Sequence, residues 1–370
     1  MKRVLILEPY YGGSHKLFLQ GLQQTVEADY TLLALPPRKW KMRMQLSAPW
    51  FVEKIKEFPE NERFFDTVLC STFVDVAVLR SLLLSVEGWN PAARVNTYFH
   101  ENQFAYPGQI DDPAIRQFTA INFTTALASD YCAFNSLYNL ETFIEGIELF
   151  LKKAADMKLL SSVDDIRKKS VIIYPGMDYS TIDQVKSRKT EEKSTKYPPT
   201  LVWNHRWEHD KGPDDFFEAL YSLQQKGVGF RLIVLGESFA NKPDCFKTAY
   251  TRLRKEILHF GYAESRRQYA ELLHQGDLII STAKHEFFGI SVLEGIRAGC
   301  FPLLPYDLSY PELYDEQYLY KPGKLARRLE TLLKNPAPID YTTTRALTGR
   351  FDWQESKTIY RKFLFGNCSE

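Results

Sequence analysis

The chain has 370 residues, and its 47 Lys and Arg residues against 46 Asp and Glu residues give a net charge of +1 at neutral pH. With 44% apolar and 25% charged residues, the composition excludes a largely disordered chain. The balanced charge means that any contact with nucleic acid or with a membrane must come from a local patch. Because a single core stops growing at about 250 to 300 residues, this length predicts two domains.

Cysteine usage and the N-terminal stretch both indicate a cytoplasmic protein. The five cysteines are odd in number and form no C-x-x-C pair, which is typical of free thiols in a reducing cytosol and argues against a structural zinc site. The apolar run before Glu8 has only four residues, too few for a signal peptide or a membrane span. We therefore expect no stable insertion into a membrane; the sequence carries no signal for an oligomeric state.

Short apolar runs alternate with amphipathic segments along the chain, which predicts parallel α/β sheets. In the first half, the predicted strands are residues 3–7, 31–35, 67–71, 94–99, 131–135 and 170–174. A second series follows at 200–204, 230–236, 256–261, 277–282 and 300–305, with helices such as 213–226 and 265–275 between its strands. The repetition predicts two Rossmann-like, doubly wound domains that face a central cleft, with a ligand at the carboxyl ends of both sheets.

A polar, charged segment that ends in Pro-Pro, residues 183–199, has the composition of an exposed linker. It separates a predicted N-terminal domain, residues 1–182, from a predicted C-terminal domain, residues 200–352. The last segment, residues 353–366, has helical spacing but no strand partner, so we expect it to pack back on the N-terminal domain.

The stretch "YYGGSHK" follows the first predicted strand and precedes a helix. Gly12 and Gly13 would let the backbone approach a ligand closely, and Ser14 is placed to cap the helix, next to His15. A Gly-Gly turn after a strand is also commonly only a turn, so this motif alone is weak evidence for a site.

Two further segments of the first domain carry candidate binding groups. His100, Glu101 and Asn102 follow the strand at 94–99, and three consecutive polar groups at a strand end favour a site over a structural role. After the second strand, the loop "PPRKWKMRM" interleaves cations with an indole. This pattern is consistent with an ordinary solvated loop, with a surface for a polyanion in which the indole stacks on a base, or with a loop that lies on a membrane surface. Its candidate contacts are Arg38, Lys39, Trp40, Lys41 and Arg43.

In the second domain, Arg206 and Lys211 lie between the first strand and the helix that Pro213 opens. An Arg fork and a Lys point charge are a usual pair for phosphate. The alternative is a solvated loop with salt bridges to Glu208 and Asp210. The carboxyl end of the strand, where both cations lie, favours phosphate binding.

Glu286 and Glu294 flank a Phe-Phe-Gly turn after the strand at 277–282. One interpretation is structural: a helix begins near Ser291 and stops at Gly299, and Glu294 completes a capping box with Ser291.

The other interpretation of this stretch is a nucleotide-sugar site. A loop that ends in Gly289 would aim backbone amides at an anion, and a carboxylate in the first helical turn would accept hydrogen bonds from a ribose diol. Glu286 would then take the hydroxyls of a sugar held against Phe287 and Phe288. The sequence contains no D-x-D, P-loop or H-E-x-x-H motif, so no visible motif requires a metal.

Together these motifs resemble a known family. "EFFGISVLE" matches the Glu-x7-Glu motif of the family-four retaining glycosyltransferases of GT-B fold, with Arg206 and Lys211 as their diphosphate-binding pair. More narrowly, "YGGSH", "YFHENQ", "HRWEHDK" and "STAKHEFFG" resemble, in this order, the tRNA-queuosine α-mannosyltransferases. The resemblance extends from the first strand to about residue 320.

The resemblance implies GDP-mannose as donor substrate, queuosine-containing tRNA as acceptor, retention at the anomeric carbon by front-face transfer, and neither cofactor nor metal. It implies a catalytic set of His100, Glu286, Arg206 and Lys211. For the donor it further implies contacts from Gly12, Gly13, Gly261, Tyr262, Phe287, Phe288, Gly289, Ile290 and Glu294, with Glu294 on the ribose. Acceptor contacts would come from Ser14, His15, Glu101, Asn102 and the cations with Trp40 named above.

Two departures and three rival functions stand beside the resemblance. The family's Pro-Asn-Gly at the end of the first domain appears here as "YPGMD", and no donor loop specifies guanine over uracil or mannose over another hexose. The rivals are a glycosyltransferase with a lipid or polysaccharide acceptor, a nucleotide-sugar epimerase of the same fold, and a catalytically silent tRNA-binding module.

Overall fold

The computed structural model describes residues 1–106, 113–153, 156–185, 198–238, 242–335 and 339–366. The chain forms two compact units: Met1–Met177 together with the segment from Trp353 onward, and Asp178–Asp352. Residues 178–182, which the sequence assigned to the N-terminal domain, thus belong to the second unit. Within the predicted linker, residues 186–197 lie outside the described part of the chain.

The first unit contains a parallel sheet with helices on both faces. Its described strands are β1 (Arg3–Glu8), β2 (Asp29–Ala34), β3 (Thr67–Ser71), β4 (Arg94–Phe99), β5 (Tyr131–Phe134) and β6 (Ser170–Ile172), in the order β2-β1-β3-β4-β5-β6. Its helices are α1 (Gly13–Thr25), α2 (Trp40–Lys56), α3 (Val76–Leu83), α4 (Pro113–Ala128), α5 (Leu137–Lys152) and α6 (Ser161–Lys168). Because both faces of such a sheet are covered, its strands are continuous apolar runs, and Val4 to Leu7 are at most 1% exposed.

The second unit repeats this architecture. Its described strands are β7 (Thr200–Asn204), β8 (Arg231–Leu235), β9 (Ile257–Gly261), β10 (Leu278–Ile280), β11 (Phe301–Pro305) and β12 (Leu319–Tyr320), in the parallel order β12-β11-β10-β7-β8-β9. Its helices are α7 (Ser180–Gln184), α8 (Pro213–Gln225), α9 (Cys245–Arg252), α10 (Arg266–His274), α11 (Ile290–Arg297), α12 (Tyr310–Leu313), α13 (Leu325–Lys334) and α14 (Tyr341–Gly349).

The last helix, α15 (Trp353–Phe365), belongs to the first unit and packs against α1, β3 and β4. Its apolar residues Trp353, Tyr360, Phe363 and Leu364 join the core around β1 and α1. The indole of Trp353 lies against two glycines: a Cβ added at Gly21 or Gly176 would come within 2.0 or 2.2 Å of it. These two positions therefore accept no side chain while α15 is in place.

Each predicted strand corresponds to an observed one, with ends that differ by a few residues. The sequence missed β12, whose two residues are too few to show a period. The prediction of a loop at residues 36–44 was wrong from Trp40 onward, because α2 begins there.

The strand order reverses beside β1 and β3 in the first sheet, and beside β7 and β10 in the second. In doubly wound sheets, ligands bind outside the carboxyl ends of the strands at such switch points. A site is therefore expected among the residues that follow these four strands. The sequence analysis adds the residues that follow β4.

None of the helices among the described residues has both the length and the apolarity needed to cross a membrane. None of Cys70, Cys132, Cys245 and Cys300 forms a disulfide.

Candidate active site

In the second unit, a tight connection after β7 places Lys211 beside the segment that follows β10. Lys211 ends a single 3₁₀ turn, and Gly212 follows in the left-handed region with φ 61°. A Cβ at Gly212 would lie 2.1 Å from the carbonyl oxygen of Thr282, so only glycine allows this approach. The hydroxyl of Thr282 in turn donates to the carbonyl oxygen of Lys211 at 3.0 Å.

The Lys211 ammonium is nearly buried and meets three oxygens. It donates to the carbonyl oxygen of His285 at 2.7 Å and lies 3.4 Å from both Asp210 Oδ2 and Glu286 Oε2. Burial opposes ionisation of Glu286, but the charge of Lys211 overcomes it and lowers the pKa of that carboxyl below its usual value. Glu286 is therefore an ionised carboxylate, which only accepts hydrogen bonds and thus suits hydroxyl groups.

The side chains of the Phe-Phe-Gly turn are buried. Phe287 and Phe288 are 6% and 2% exposed, so their rings belong to the core, and the predicted contact of this turn with a donor stays a prediction. Gly289, at φ 95°, is the N-cap of α11, and the helix starts at Ile290. The helix thus begins directly after Gly289, and the binding of an anion by the amides and dipole at this N-terminus stays a prediction.

The capping-box interpretation of Glu294 is also wrong. Since the helix begins one residue before Ser291 and no side chain caps it, Glu294 has no capping partner there. Instead its carboxylate accepts from Arg266 Nη2 at 2.7 Å and from the hydroxyl of Tyr269. Asn204 at the end of β7 donates to that same hydroxyl. Glu294 is 5% exposed and is held in one orientation from two sides.

The remaining predicted donor residues differ in their surroundings. Arg206 is exposed and makes a two-pronged ion pair with Glu208, at 3.1 and 3.0 Å, so the salt-bridge alternative applies to Arg206 in this structure. Gly261 ends β9 with φ 142°, and the side chain of Tyr262 is exposed. A buried histidine that the sequence analysis passed over, His205, has its pKa lowered to about 4 by burial and by Lys211.

In the first unit, the Gly-Gly turn serves the fold as well as any ligand. A Cβ at Gly12 would lie 2.4 Å from Pro37 Cγ, so the close approach there is to a neighbouring loop. Gly12 is also the N-cap of α1, which makes no side-chain cap bond, and the predicted cap role of exposed Ser14 is therefore wrong. Gly13 takes a left-handed φ of 49°.

His15 and His100 lie side by side at the carboxyl edge of this sheet. Their ring centroids are 4.1 Å apart with an interplanar angle of 30°, and both residues are at least nine-tenths buried. His15 Nδ1 lies 3.1 Å from Glu8 Oε2, and its Nε2 lies 3.6 Å from Glu101 Oε2. Three predicted site residues, His15, His100 and Glu101, are thus brought together, around a Glu8 that the sequence analysis did not select.

Glu8, His15 and His100 are the one group within the described ranges that offers three potential metal-ligand atoms within 4.8 Å of one another. Imidazole lone pairs lie in the ring plane, and two near-parallel, adjacent rings aim them along similar directions rather than at one ion. The facing carboxylate of Glu8 suits a proton on His15 instead.

Asn102 is fully buried, and its side chain stabilises the loop in which it lies. Its amide group donates to Asn139 Oδ1 at 2.8 Å, and its carbonyl oxygen accepts from the amides of Phe104 and Ala105, both at 2.9 Å. The predicted contact between Asn102 and an acceptor is therefore corrected to a structural role.

The basic segment is an exposed helix start that carries a half-buried indole. Lys39, with φ 54°, is the N-cap of α2, and Trp40 packs on the ring of Phe118 with centroids 5.1 Å apart. The stacking of this indole on a base stays a prediction. Arg38, Lys39 and Lys41 are exposed.

The structure brings four site residues forward that sequence reasoning missed. Glu8 ends a buried strand, His205 follows one, and Arg266 and Tyr269 open α10. A charged residue that ends an otherwise apolar strand is the signal that could have identified Glu8. For Arg266 and Tyr269 no local signal exists, because their partner Glu294 is 25 or more residues away in the chain.

The chain is similar to known proteins in both sequence and structure. Residues 3–177 match the family model described as tRNA-queuosine alpha-mannosyltransferase N-terminal, and residues 184–346 match that described as glycosyl transferases group 1. The tRNA-queuosine alpha-mannosyltransferase of Drosophila melanogaster is 32% identical over 339 residues, 90% of this chain and 87% of that protein. A GDP-mannose:cellobiosyl-diphosphopolyprenol alpha-mannosyltransferase of Xanthomonas campestris is 24% identical over 165 residues, 42% of this chain and 43% of that protein.

Among solved structures, Anabaena Alr3699/HepE in complex with UDP has a TM-score of 0.69 at 14% identity and covers 97% of this chain and 98% of its own. The OtsA apo structure has a TM-score of 0.70 at 10% identity and covers 98% of each chain. Likeness at such low identity shows the fold, which is the GT-B fold that the sequence predicted.

Proposed function

Since the chain belongs to the tRNA-queuosine alpha-mannosyltransferase family, we propose that it transfers mannose from GDP-mannose to the queuosine base of tRNA, with retention at the anomeric carbon, in the cytoplasm. The chain is a hexosyltransferase of the glycosyl transferases group 1 type. The donor, the stereochemistry, the residue roles and the acceptor contacts are the parts that need support from the site.

The observation that carries the proposal is the pairing of Lys211 with an ionised Glu286 beside the N-terminus of α11. A nucleotide sugar presents two chemistries side by side, a negative diphosphate and a ring of hydroxyl donors. The helix N-terminus and the Lys211 ammonium suit the diphosphate, while the Glu286 carboxylate accepts from hydroxyls. An epimerase would bind the same groups, and membership of the mannosyltransferase family is what favours transfer over the epimerase and the silent tRNA-binding module.

The roles follow from the charges. Departure of a nucleoside diphosphate builds negative charge on the leaving oxygen, and preorganised cations stabilise such charge most strongly when they are partly buried. We assign that role to Lys211, with Arg206 joining it once the arginine exchanges its ion pair with Glu208 for phosphate. No carboxylate is assigned as a covalent nucleophile; the leaving diphosphate accepts the acceptor's proton in front-face transfer.

Glu294 is assigned to the ribose. Its carboxylate is held by Arg266 and Tyr269, so it presents the same oxygens to each incoming donor without first losing side-chain freedom. We propose GDP-mannose rather than another nucleotide sugar as the donor because the name of one relative specifies GDP-mannose.

The acceptor would be bound by the first unit. His100 supports the transferring mannose, and the exposed Arg38, Lys39 and Lys41 at the start of α2 supply charge for the phosphates of RNA.

The test is transfer of radiolabel from GDP-mannose to purified tRNA that contains or lacks queuosine. Label in the queuosine-containing tRNA alone, with product whose anomeric configuration equals that of the donor, is the expected result. Glu286→Gln is the active-site variant, and Glu312→Gln on the short helix α12 is its control with the same chemical change. Label in neither RNA, with GDP-mannose still bound in calorimetry, would reject the acceptor and direct the search to lipid-linked glycans.

A further inference from the structure

A buried chain of ionisable groups lies behind His100 in the first unit. Glu8, the last residue of β1, is 1% exposed. Its Oε1 accepts from the amide of Tyr10 at 2.8 Å and from the hydroxyl of Ser71 at 3.1 Å, while its Oε2 faces His15 Nδ1 at 3.1 Å. These contacts fix the carboxylate and direct one oxygen at the His15 ring.

The other nitrogen of His15 faces a second carboxylate. Its Nε2 lies 3.6 Å from Glu101 Oε2, and Glu101 Oε1 is buried without a hydrogen-bond partner of its own. A neutral imidazole carries one N–H and one lone pair, so it would turn a lone pair toward one of these carboxylates. An imidazolium donates to Glu8 and also turns a charged N–H toward Glu101, 3.6 Å away. Burial alone would lower the pKa of His15, but Glu8 and Glu101 together raise it to about 10.

The surroundings of His100 have the opposite effect on its pKa. Its ring lies 4.1 Å from that of His15, and the rings of Phe18 and Tyr98 contact it at 4.8 and 4.7 Å between centroids. Burial and the charge of His15 hold the pKa of His100 well below its usual value. Of the two adjacent imidazoles, His15 carries the proton and His100 stays neutral.

We propose that His15 is a positioning residue: a lasting imidazolium, clamped between Glu8 and Glu101, that keeps His100 neutral and oriented so that His100 can both accept from and donate to a sugar hydroxyl. The sugar contact rests on the proposed function; the proton assignment does not. The charged or titratable groups that face His15 are Glu8 from β1, Glu101 and His100 from the segment after β4, and the Tyr10 ring from the turn after β1 at 6.1 Å. The segment after β3 contributes the apolar ring of Phe73, 5.8 Å away.

The direct test is nitrogen-detected NMR of the full chain with 15N-labelled histidine, followed from about pH 6 to about pH 9. His15 should show two protonated ring nitrogens throughout, and His100 one protonated and one bare nitrogen; His15→Gln and His100→Gln assign the signals. A neutral His15 at pH 7.5, or a shift of both rings on addition of Zn²⁺ or Mn²⁺ alone, would overturn the proposal. This readout needs no turnover, so it stands even if no acceptor is labelled.

The activity test uses Glu101→Gln, with the exposed Glu87→Gln as the matched control. The loss of one facing charge should lower the pKa of His15, so that the pH profile of transfer, level to about pH 9 in the wild type, falls at lower pH in Glu101→Gln. We expect kcat to fall about tenfold while the KM for the donor changes less than about threefold, since His100 is misplaced rather than removed. An unchanged pH profile in Glu101→Gln would contradict the positioning role, and so would an equal effect in Glu87→Gln.

Discussion

Lys211→Met keeps the buried stem of the side chain and removes only its ammonium. In the wild type that group satisfies the carbonyl oxygen of His285 at 2.7 Å and lies 3.4 Å from Asp210 and Glu286. Removing one partner of a buried ion pair costs about 3 to 5 kcal/mol, because the remaining charge stays buried. Asp210 is 35% exposed and relaxes into water, so we take the lower end, about 3 kcal/mol at pH 7.

The matched control is Lys284→Met. Lys284 lies 3.2 Å from Asp215, but both side chains are about 60% exposed, so this variant should lose no more than about 1 kcal/mol. Urea unfolding of the two variants and the wild type measures both losses. If the two substitutions cost the same, the burial argument for Lys211 is refuted.

Acidity provides a second check on the same variant. In the wild type the pKa of Glu286 is lowered, so its ionisation stabilises the fold above the unfolded value of about 4.5 and this contribution is lost as pH falls through the folded value. Without Lys211 the largest influence that lowers this pKa is lost, while burial, which raises it, remains; the pKa therefore rises and Glu286 takes up a proton at milder acidity. The deficit of Lys211→Met should therefore shrink from pH 7 toward pH 5; a constant deficit would count against the assignment. Transfer should fall about 100-fold, because the leaving group loses its buried cation.

Three other outcomes follow from the geometry. Gly212→Ala should lower the free energy of unfolding by at least about 3 kcal/mol, since its Cβ would meet the Thr282 carbonyl oxygen at 2.1 Å. Gly227→Ala, at φ 69° in open space, should lower it by about 1 kcal/mol; equal urea midpoints for the two variants would contradict this. Burial lowers the pKa of His205 to about 4 from 6.5, so as pH falls the unfolded chain binds this proton before the folded chain does. The stability of the wild type should therefore decline from pH 6.5 to pH 4, and the decline should be shallower in His205→Gln. Arg38→Glu should weaken tRNA binding and reduce its dependence on log salt concentration by about one unit; an unchanged slope would remove Arg38 from the RNA surface.

The parts of the molecule that the sequence predicted are those that depend on short-range pattern. The strands of both sheets were identifiable because buried parallel strands are continuous apolar runs. Lys211 and Glu286, 75 residues apart in the chain, were assigned to one site because each follows a strand, and carboxyl ends of parallel strands share an edge.

The errors have a common physical origin, which is the choice among competing partners. Ser14 and Ser291 had cap-like spacing, but a glycine precedes each and takes the N-cap position, so the helices begin earlier. Glu294 was recognised, but Arg266 and Tyr269 approach it from another helix, and only tertiary packing decides that.

The placement of α15 has a consequence for how the chain is made. The second unit, Asp178–Asp352, is continuous in sequence, whereas the first needs residues that follow the whole second unit. Multidomain chains generally fold from the N-terminus during synthesis. Here the nascent first sheet must wait, with the core surface around Phe18 and Tyr98 uncovered, until Trp353 and Tyr360 leave the ribosome. The unit synthesised second can therefore reach its native state first, and until α15 is made the apolar core surface of the first unit is open to aggregation.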